Sequence, residues 1–328
     1  MQQTPLSPAQ NRGKLLILIL FAGLLLIPVL AWSWYPGPGE NAGLKGNGPI
    51  PVVGQNQYYF VGKGDTLIQL ARAMGLGYDA LHNANPDVDP WLPRFGQRLL
   101  LPYSAIFPTR PIAGITVNLA ELRLYLLWQQ DGLFHMRIYP VGIGDQGTAT
   151  PEGKYRILQK ILHPSWTAPA SIREKDPQVP PLIPPGPDNP LGNYWMEFTP
   201  QGDGIHGTNH PYGVGRRVSH GCIRLYPEDI RNLFGLVKLG TPVHVLYKPI
   251  KVGIRNDTLY VEAHPDFLHR IKHPFREVVR QAAALGWTAE IDRRKVARVV
   301  KEARGIPRPV SKEVRPESTG PGQMATVE

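Results

Sequence analysis

The sequence predicts a mainly β main domain with one short helix, preceded by a small α+β unit built as strand, helix, helix, strand and by an N-terminal apolar helix. Between Ile112 and Tyr247, apolar runs of strand length alternate with breaks that carry Gly and Asn. Leu67, Leu70, Ala71 and Met74 recur at helical spacing between two short β-like runs. Arg12 and Lys14 precede the apolar run Leu15 to Ile27, which Pro28 interrupts.

Composition narrows the function classes. With 42% hydrophobic and 19% charged residues, 328 residues can bury more than one core. The 35 prolines and 34 glycines gather between periodic segments, which marks linkers and long loops rather than a repeat. A formal charge of +10 calls for an anionic partner. No basic run interleaved with aromatics marks a nucleic-acid groove, so an acidic cell wall or anionic lipid suits the charge better than nucleic acid does.

In chain order, residues 1–34 read as a signal peptide or membrane anchor, the apolar run being short for a span of about 20 residues. Basic residues before the run and none until Lys45 place the body outside the cytoplasm, in the periplasm or cell envelope, with the inner membrane as a partner if the segment is not cleaved. Residues 35–56, rich in Gly, Pro and Asn, read as a flexible linker. Tyr58 to Val61 predicts a strand, Thr66 caps a helix, Tyr78 to Asn83 a second helix stopped at Asn85-Pro86, and Arg98 to Leu101 a closing strand. The small unit spans 57–103 and the main domain 110–248.

Within the main domain, strands are expected at Ile115–Asn118, Leu122–Leu127, Phe134–Val141, Lys154–Ile161, Tyr194–Phe198 and Val243–Tyr247. Pro227 to Phe234 predicts a helix that begins at its proline. The proline-rich stretch Pro164 to Gly192 is too long for a plain connection and is expected to act as a lid. Residues 249–304 carry a hairpin around Asn256-Asp257 and two amphipathic stretches, an accessory segment; 305–328 read as a disordered tail.

An exported chain with one cysteine, Cys222, invites a chemical role for it, because an oxidising compartment favours paired cysteines. The thiol stands in Ser219-His220-Gly221-Cys222-Ile223-Arg224, and a second reactive segment reads Ile205-His206-Gly207-Thr208-Asn209. A thiol needs a base or a positive field to act as a nucleophile, and two histidines and an arginine supply both. Glycines beside the reactive groups let backbone amides approach a substrate, so Gly221 and Cys222 can form an oxyanion hole. A zinc site from His206, His220 and Cys222, a glycan-binding anchor without activity, and a hydrolase acting through the same thiol are the competing readings.

Two resemblances join these residues to families. The stretches YYFVGKGDTLIQLARAMG, LHNANP and FGQRLLLP resemble a LysM domain over Tyr58 to Pro102. That resemblance implies non-catalytic binding of glycans containing N-acetylglucosamine, with Gly64, Asp65, Thr66, Asn85 and Pro86 near the groove; Ile68 stands where many members carry an aromatic residue. IHGTN, SHGCIRL and Thr150-Pro151-Glu152-Gly153 together resemble the L,D-transpeptidase catalytic domain of the YkuD family, and PPGPDNPLGNYWMEF is similar to its ErfK/YbiS/YcfS/YnhG branch.

The second resemblance implies a β-sandwich with a short helix, acting on peptidoglycan. It implies Cys222 as nucleophile, His206 as base, the Gly207 carbonyl orienting the imidazole, His220 beside the thiolate and the Gly221 and Cys222 amides around the oxyanion. Arg224, Thr208, Asn209 and Ser219 are expected at the substrate. The donor would be a stem tetrapeptide and the acceptor a second stem, an envelope lipoprotein, a free D-amino acid or water. No metal and no cofactor would be needed.

Overall fold

The computed structural model describes residues 50–130, 133–145 and 147–311. The expected signal or anchor, most of the linker and residues 312–328 lie outside them. Among the described residues no helix is long and apolar enough to cross a membrane.

The front unit opens with β1 (Val52–Val53), followed by β2 (Gln57–Phe60), α1 (Leu67–Ala73), α2 (Tyr78–Ala84), β3 (Arg98–Leu101) and β4 (Ala105–Ile106). The expected order of strand, helix, helix, strand is present, with β2 antiparallel to β3. Thr66 caps α1, its hydroxyl accepting from the Gln69 amide at 3.4 Å. The linker ends earlier than the sequence suggested. Ile50 and Val52 are buried and β1 pairs with β4, because their apolar side chains find a core that composition cannot reveal.

The main domain contains β5 (Gly114–Asn118), β6 (Arg123–Gln130), β7 (Leu133–Pro140), β8 (Ile143–Gly144), β9 (Gly153–Arg156), β10 (Gln159–Leu162), β11 (Trp166–Thr167), α3 (Ala170–Lys175), β12 (Leu182–Ile183), β13 (Tyr194–Glu197), β14 (Gly204–His206), β15 (Arg217–Ser219), β16 (Ile223–Arg224), α4 (Pro227–Leu236) and β17 (Pro242–Leu246). One sheet runs β7-β6-β5-β17-β9 and another β10-β13-β14-β16, with a short β15-β8 pair. Both sheets contribute to one core, where Leu124 and Leu126 meet Met196, Ile205, Ile223 and Leu233. The mainly β expectation therefore holds.

Alternation along β6 explains its unbroken apolar run. Leu124 and Leu126 face that core, whereas Tyr125 and Leu127 join Leu67, Leu81 and Leu99 in the core of the front unit. The front unit thus packs on the outer face of the main domain's sheet rather than hanging on a tether. The single strand expected at Lys154–Ile161 is instead two, β9 and β10, in different sheets. Backbone bonds from Ile157 to Thr241 and from Leu158 to Glu197 carry the chain across.

The C-terminal segment comprises β18 (Ile250–Arg255), β19 (Thr258–Ala263), α5 (Pro274–Ala284), α6 (Arg293–Glu302) and β20 (Arg308–Pro309). Asn256 and Asp257 take positive φ of 49° and 52°, the hairpin turn their side chains favour. The expected tail is ordered through its first residues: β20 pairs with β19, and Val310 is buried. Five buried side chains weld the segment to the domain. Arg123 contacts Glu121 at 3.1 Å and Glu262 at 2.8 Å, Lys251 contacts the same two carboxylates at 2.5 and 3.0 Å, and His264 meets Glu262 at 2.8 Å.

Candidate active site

The two reactive segments meet because β14 and β16 are parallel neighbours, with Ile205 opposite Ile223 and His206 opposite Arg224. Counting one pair back sets Cys222 opposite Gly204. Directly paired residues share a face, so His206 and Arg224 project together, and Cys222, in the bend that leads into β16, lies beside Gly204, two residues before His206. Gly204 has a steric reason to lack a side chain. A Cβ there would lie 2.4 Å from the Trp195 ring, which also stacks on His206 at 5.6 Å between centroids.

His206 is buried, and its Nδ1 lies 2.6 Å from the Gly207 carbonyl oxygen. A carbonyl only accepts, so Nδ1 carries the hydrogen and Nε2 keeps its lone pair. Burial and the neighbouring Arg224 push the imidazole pKa down to about 3, against the upward pull of the Gly207 and Leu191 carbonyls. The ring is therefore neutral at physiological pH.

Cys222 is half-buried. Burial pushes its thiol pKa up, and the Asp203 carboxylate adds to the rise; the Gly204 amide, hydrogen-bonded to the sulfur, and Arg224 act the other way without winning. The resting pair is a thiol and a neutral imidazole, not the thiolate that the basic neighbours suggest. Gly221 has φ +110°, a backbone conformation that favours glycine, and a Cβ there would also crowd the Asp203 carboxylate at 3.0 Å. Among the described residues no acceptor takes the amides of Gly221 or Cys222.

Arg224, half-buried, has no carboxylate within ion-pair reach among the described residues, and its Nε is buried without a partner. It is an uncommitted cation beside the thiol. His220 is exposed, and Arg224 is a cation whose field reaches the sulfur. Ser219 is buried and donates its hydroxyl to the Cys222 carbonyl at 2.5 Å, which shapes the turn before β16.

Thr208 is also buried, its oxygen accepting from the His210 amide at 2.9 Å. Asn209 donates to the Asp188 carbonyl at 3.0 Å, while its Oδ1 is buried without a partner. Both line a cavity of about 410 Å³ with Gly186, Pro187, Tyr194 and Gly207. Its far wall belongs to the expected lid, here a β11–β12 hairpin enclosing α3. Fully buried Asn189 ties the base of that loop through the Pro164, Ile183 and Pro184 carbonyls.

Sequence reasoning missed Trp195, Asp203, Gly204 and the Leu191 carbonyl. Gly204 stands two residues before His206, and that spacing in a strand is the signal that would have found it.

In the front unit, Asn85 is buried and held by structure: it donates to the Leu81 and Leu100 carbonyls and accepts from the Leu100 amide. Asp65 accepts from the Tyr59 hydroxyl at 2.9 Å and the Gly62 amide at 2.6 Å, closing the turn before α1. Gly64 and Pro86 are exposed. So are Trp91, Leu92 and Phe95 on the loop between α2 and β3, residues the sequence did not single out.

The ligand atoms of His206, His220 and Cys222 do not gather into a metal site; among the described residues only Glu121, Glu262 and His264 bring theirs within 4.8 Å. Lys251 and Arg123 already neutralise those carboxylates, so a dication has no charge to compensate there.

The family model described as the YkuD L,D-transpeptidase catalytic domain matches residues 113–245. The chain is 37% identical to the probable L,D-transpeptidase YcfS of Escherichia coli K12 over 257 residues, 75% of this chain and 77% of that protein. It is 37% identical to the probable L,D-transpeptidase YbiS of the same strain over 229 residues, covering 66% and 74%. With the probable L,D-transpeptidase ErfK/SrfK of Salmonella typhimurium it shares 35% identity over 236 residues, 70% and 74% of the two chains.

Proposed function

Because the chain belongs to the YkuD family of L,D-transpeptidase catalytic domains, we propose that it is a cell-envelope enzyme that breaks and remakes peptidoglycan stem peptides through a thioester on Cys222. The observation that supports this reading is the parallel pairing of β14 and β16, which brings His206, its Nδ1 tied to the Gly207 carbonyl, next to the strand that Cys222 leads into.

Attack of Sγ on the donor carbonyl passes the thiol proton to Nε2 of His206. The oxyanion falls to the Gly221 and Cys222 amides, and collapse returns the proton to the leaving amine, terminal D-alanine. A neutral starting pair means that thiol and imidazole carry no charge until attack begins. Arg224 stabilises the negative charge as it forms and can take a substrate carboxylate in two hydrogen bonds. An amine then resolves the thioester; an acceptor stem gives a three-to-three cross-link, and a lipoprotein lysine gives anchoring.

The front unit would act as a LysM glycan-binding module, the exposed rings of Trp91 and Phe95 offering flat faces for pyranose stacking beside Gly64 and Pro86. Residues 1–34 would deliver the chain to the periplasm or hold it at the inner membrane.

Incubating a disaccharide-tetrapeptide with wild type, Cys222→Ala and His206→Ala tests the reading by mass spectrometry. Thiol-dependent loss of D-alanine with a dimeric product supports it. Loss of D-alanine with only tripeptide formed assigns the thioester to hydrolysis or to an absent protein acceptor. No reaction on any tetrapeptide would leave a glycan-binding anchor as the better account.

A further inference from the structure

The loop that joins the two halves of the site, residues 207–218, is held from outside the main domain. From within it, the Gly215 amide reaches the Val141 carbonyl at 3.2 Å and the Ile143 amide reaches the Arg216 carbonyl at 3.1 Å. The front unit adds the Asp79 amide, which donates to the Gly215 carbonyl at 3.2 Å. Here two backbones touch. A Cβ on Gly215, whose φ is +77°, would lie 2.3 Å from Gly77 Cα, and one on Gly77 would lie 2.9 Å from Gly215 Cα.

Around that contact the Arg216 guanidinium covers the Tyr78 ring at 5.2 Å. The Tyr226 hydroxyl, at the cap of α4, donates to the Leu76 carbonyl at 3.0 Å. One residue into the same helix turn, Glu228 accepts a fork of two bonds from Arg72 at 3.1 and 3.2 Å. Every one of these partners on the main domain lies in the loop before β15 or at the start of α4, just after β16, so the front unit brackets the Ser219–Arg224 segment on both sides in sequence.

We propose that the front unit is a positioning part of the catalytic site: Arg72 and Gly77 clamp the 207–218 loop and the start of α4, and thereby hold Cys222 in register with His206. This goes beyond glycan binding, since the effect acts on substrates that carry no sugar. It rests on the reading of Cys222 as nucleophile and His206 as base. The physical basis is loop entropy. A connection closed by few bonds samples many geometries, and thiol and imidazole act together only within a narrow one.

The test uses the full chain and a free stem tetrapeptide without sugar, with Cys222 thiols counted by alkylation so that rates are per intact site. Arg72→Glu and Glu228→Arg should each lower kcat about 5-fold with KM little changed, the size expected for a half-exposed forked ion pair. The double swap Arg72→Glu with Glu228→Arg should restore most of it. Gly77→Leu, a wedge at the backbone contact, should lower kcat at least as much. Wild-type kcat per thiol in Arg72→Glu and Gly77→Leu overturns the inference, as does a loss that appears only in the number of intact sites. If wild type itself releases no D-alanine, the catalytic reading has failed and the clamp falls with it.

Discussion

Nδ1 of His206 donates to the carbonyl of Gly207, its own neighbour in sequence, across 2.6 Å. One peptide unit thus fixes the tautomer of the imidazole, with no carboxylate needed behind it. Asp203 lies near the sulfur, where its charge opposes ionisation of the thiol.

Burying a neutral histidine makes stability depend on acid. The folded-state pKa of about 3 lies below the unfolded value of 6.5. Below pH 6.5 the unfolded chain binds a proton that the folded chain refuses, so this contribution is complete above 6.5 and is lost progressively as pH falls toward 3. Denaturant titrations of wild type and His206→Gln across that window should show the wild type losing more stability. Parallel curves would contradict the burial of a neutral ring.

The raised thiol predicts slow alkylation at neutral pH. Iodoacetamide capture of Cys222 should climb with pH through and beyond the ordinary thiol midpoint of about 8.5. Asp203→Asn should move that midpoint down, because it removes a negative neighbour. A plateau already reached at pH 7 would show a preformed thiolate.

Arg224 and His220 separate cleanly by substitution. Arg224→Met removes the uncommitted cation, so the thiol midpoint should move up and D-alanine release should fall on the order of 10- to 100-fold. His220→Ala, at an exposed position, should cost less and leave the midpoint in place. A larger loss from His220→Ala would return the stabilising role to the histidine.

The ionic weld predicts that the C-terminal segment is part of the fold rather than an appendage. Lys251→Met leaves Glu121 and Glu262 buried with Arg123 as their remaining strong cation, which should destabilise the chain by about 3–5 kcal/mol in equilibrium denaturation. A change below about 1 kcal/mol would mean that water reaches the cluster.

Local pattern was enough for a large part of this protein. The strand, helix, helix, strand order of the front unit, the proline-started α4 and the Asn256-Asp257 turn follow from periodicity, capping and turn chemistry, which act over a few residues. The segments around His206 and Cys222 were legible for a related reason: reactive residue types flanked by glycine mark places where the backbone itself takes part. What the sequence could not determine was which neighbours those segments meet. Whether a thiol is raised or lowered depends on Asp203, Gly204 and Arg224 arriving together across β14 and β16, and burial decides the sign. The contact of Gly77 with Gly215, the pairing of Arg72 with Glu228 and the joining of Glu121 to Lys251 across the chain were likewise decided by tertiary structure alone. Contacts between residues far apart in sequence leave no local periodicity to read.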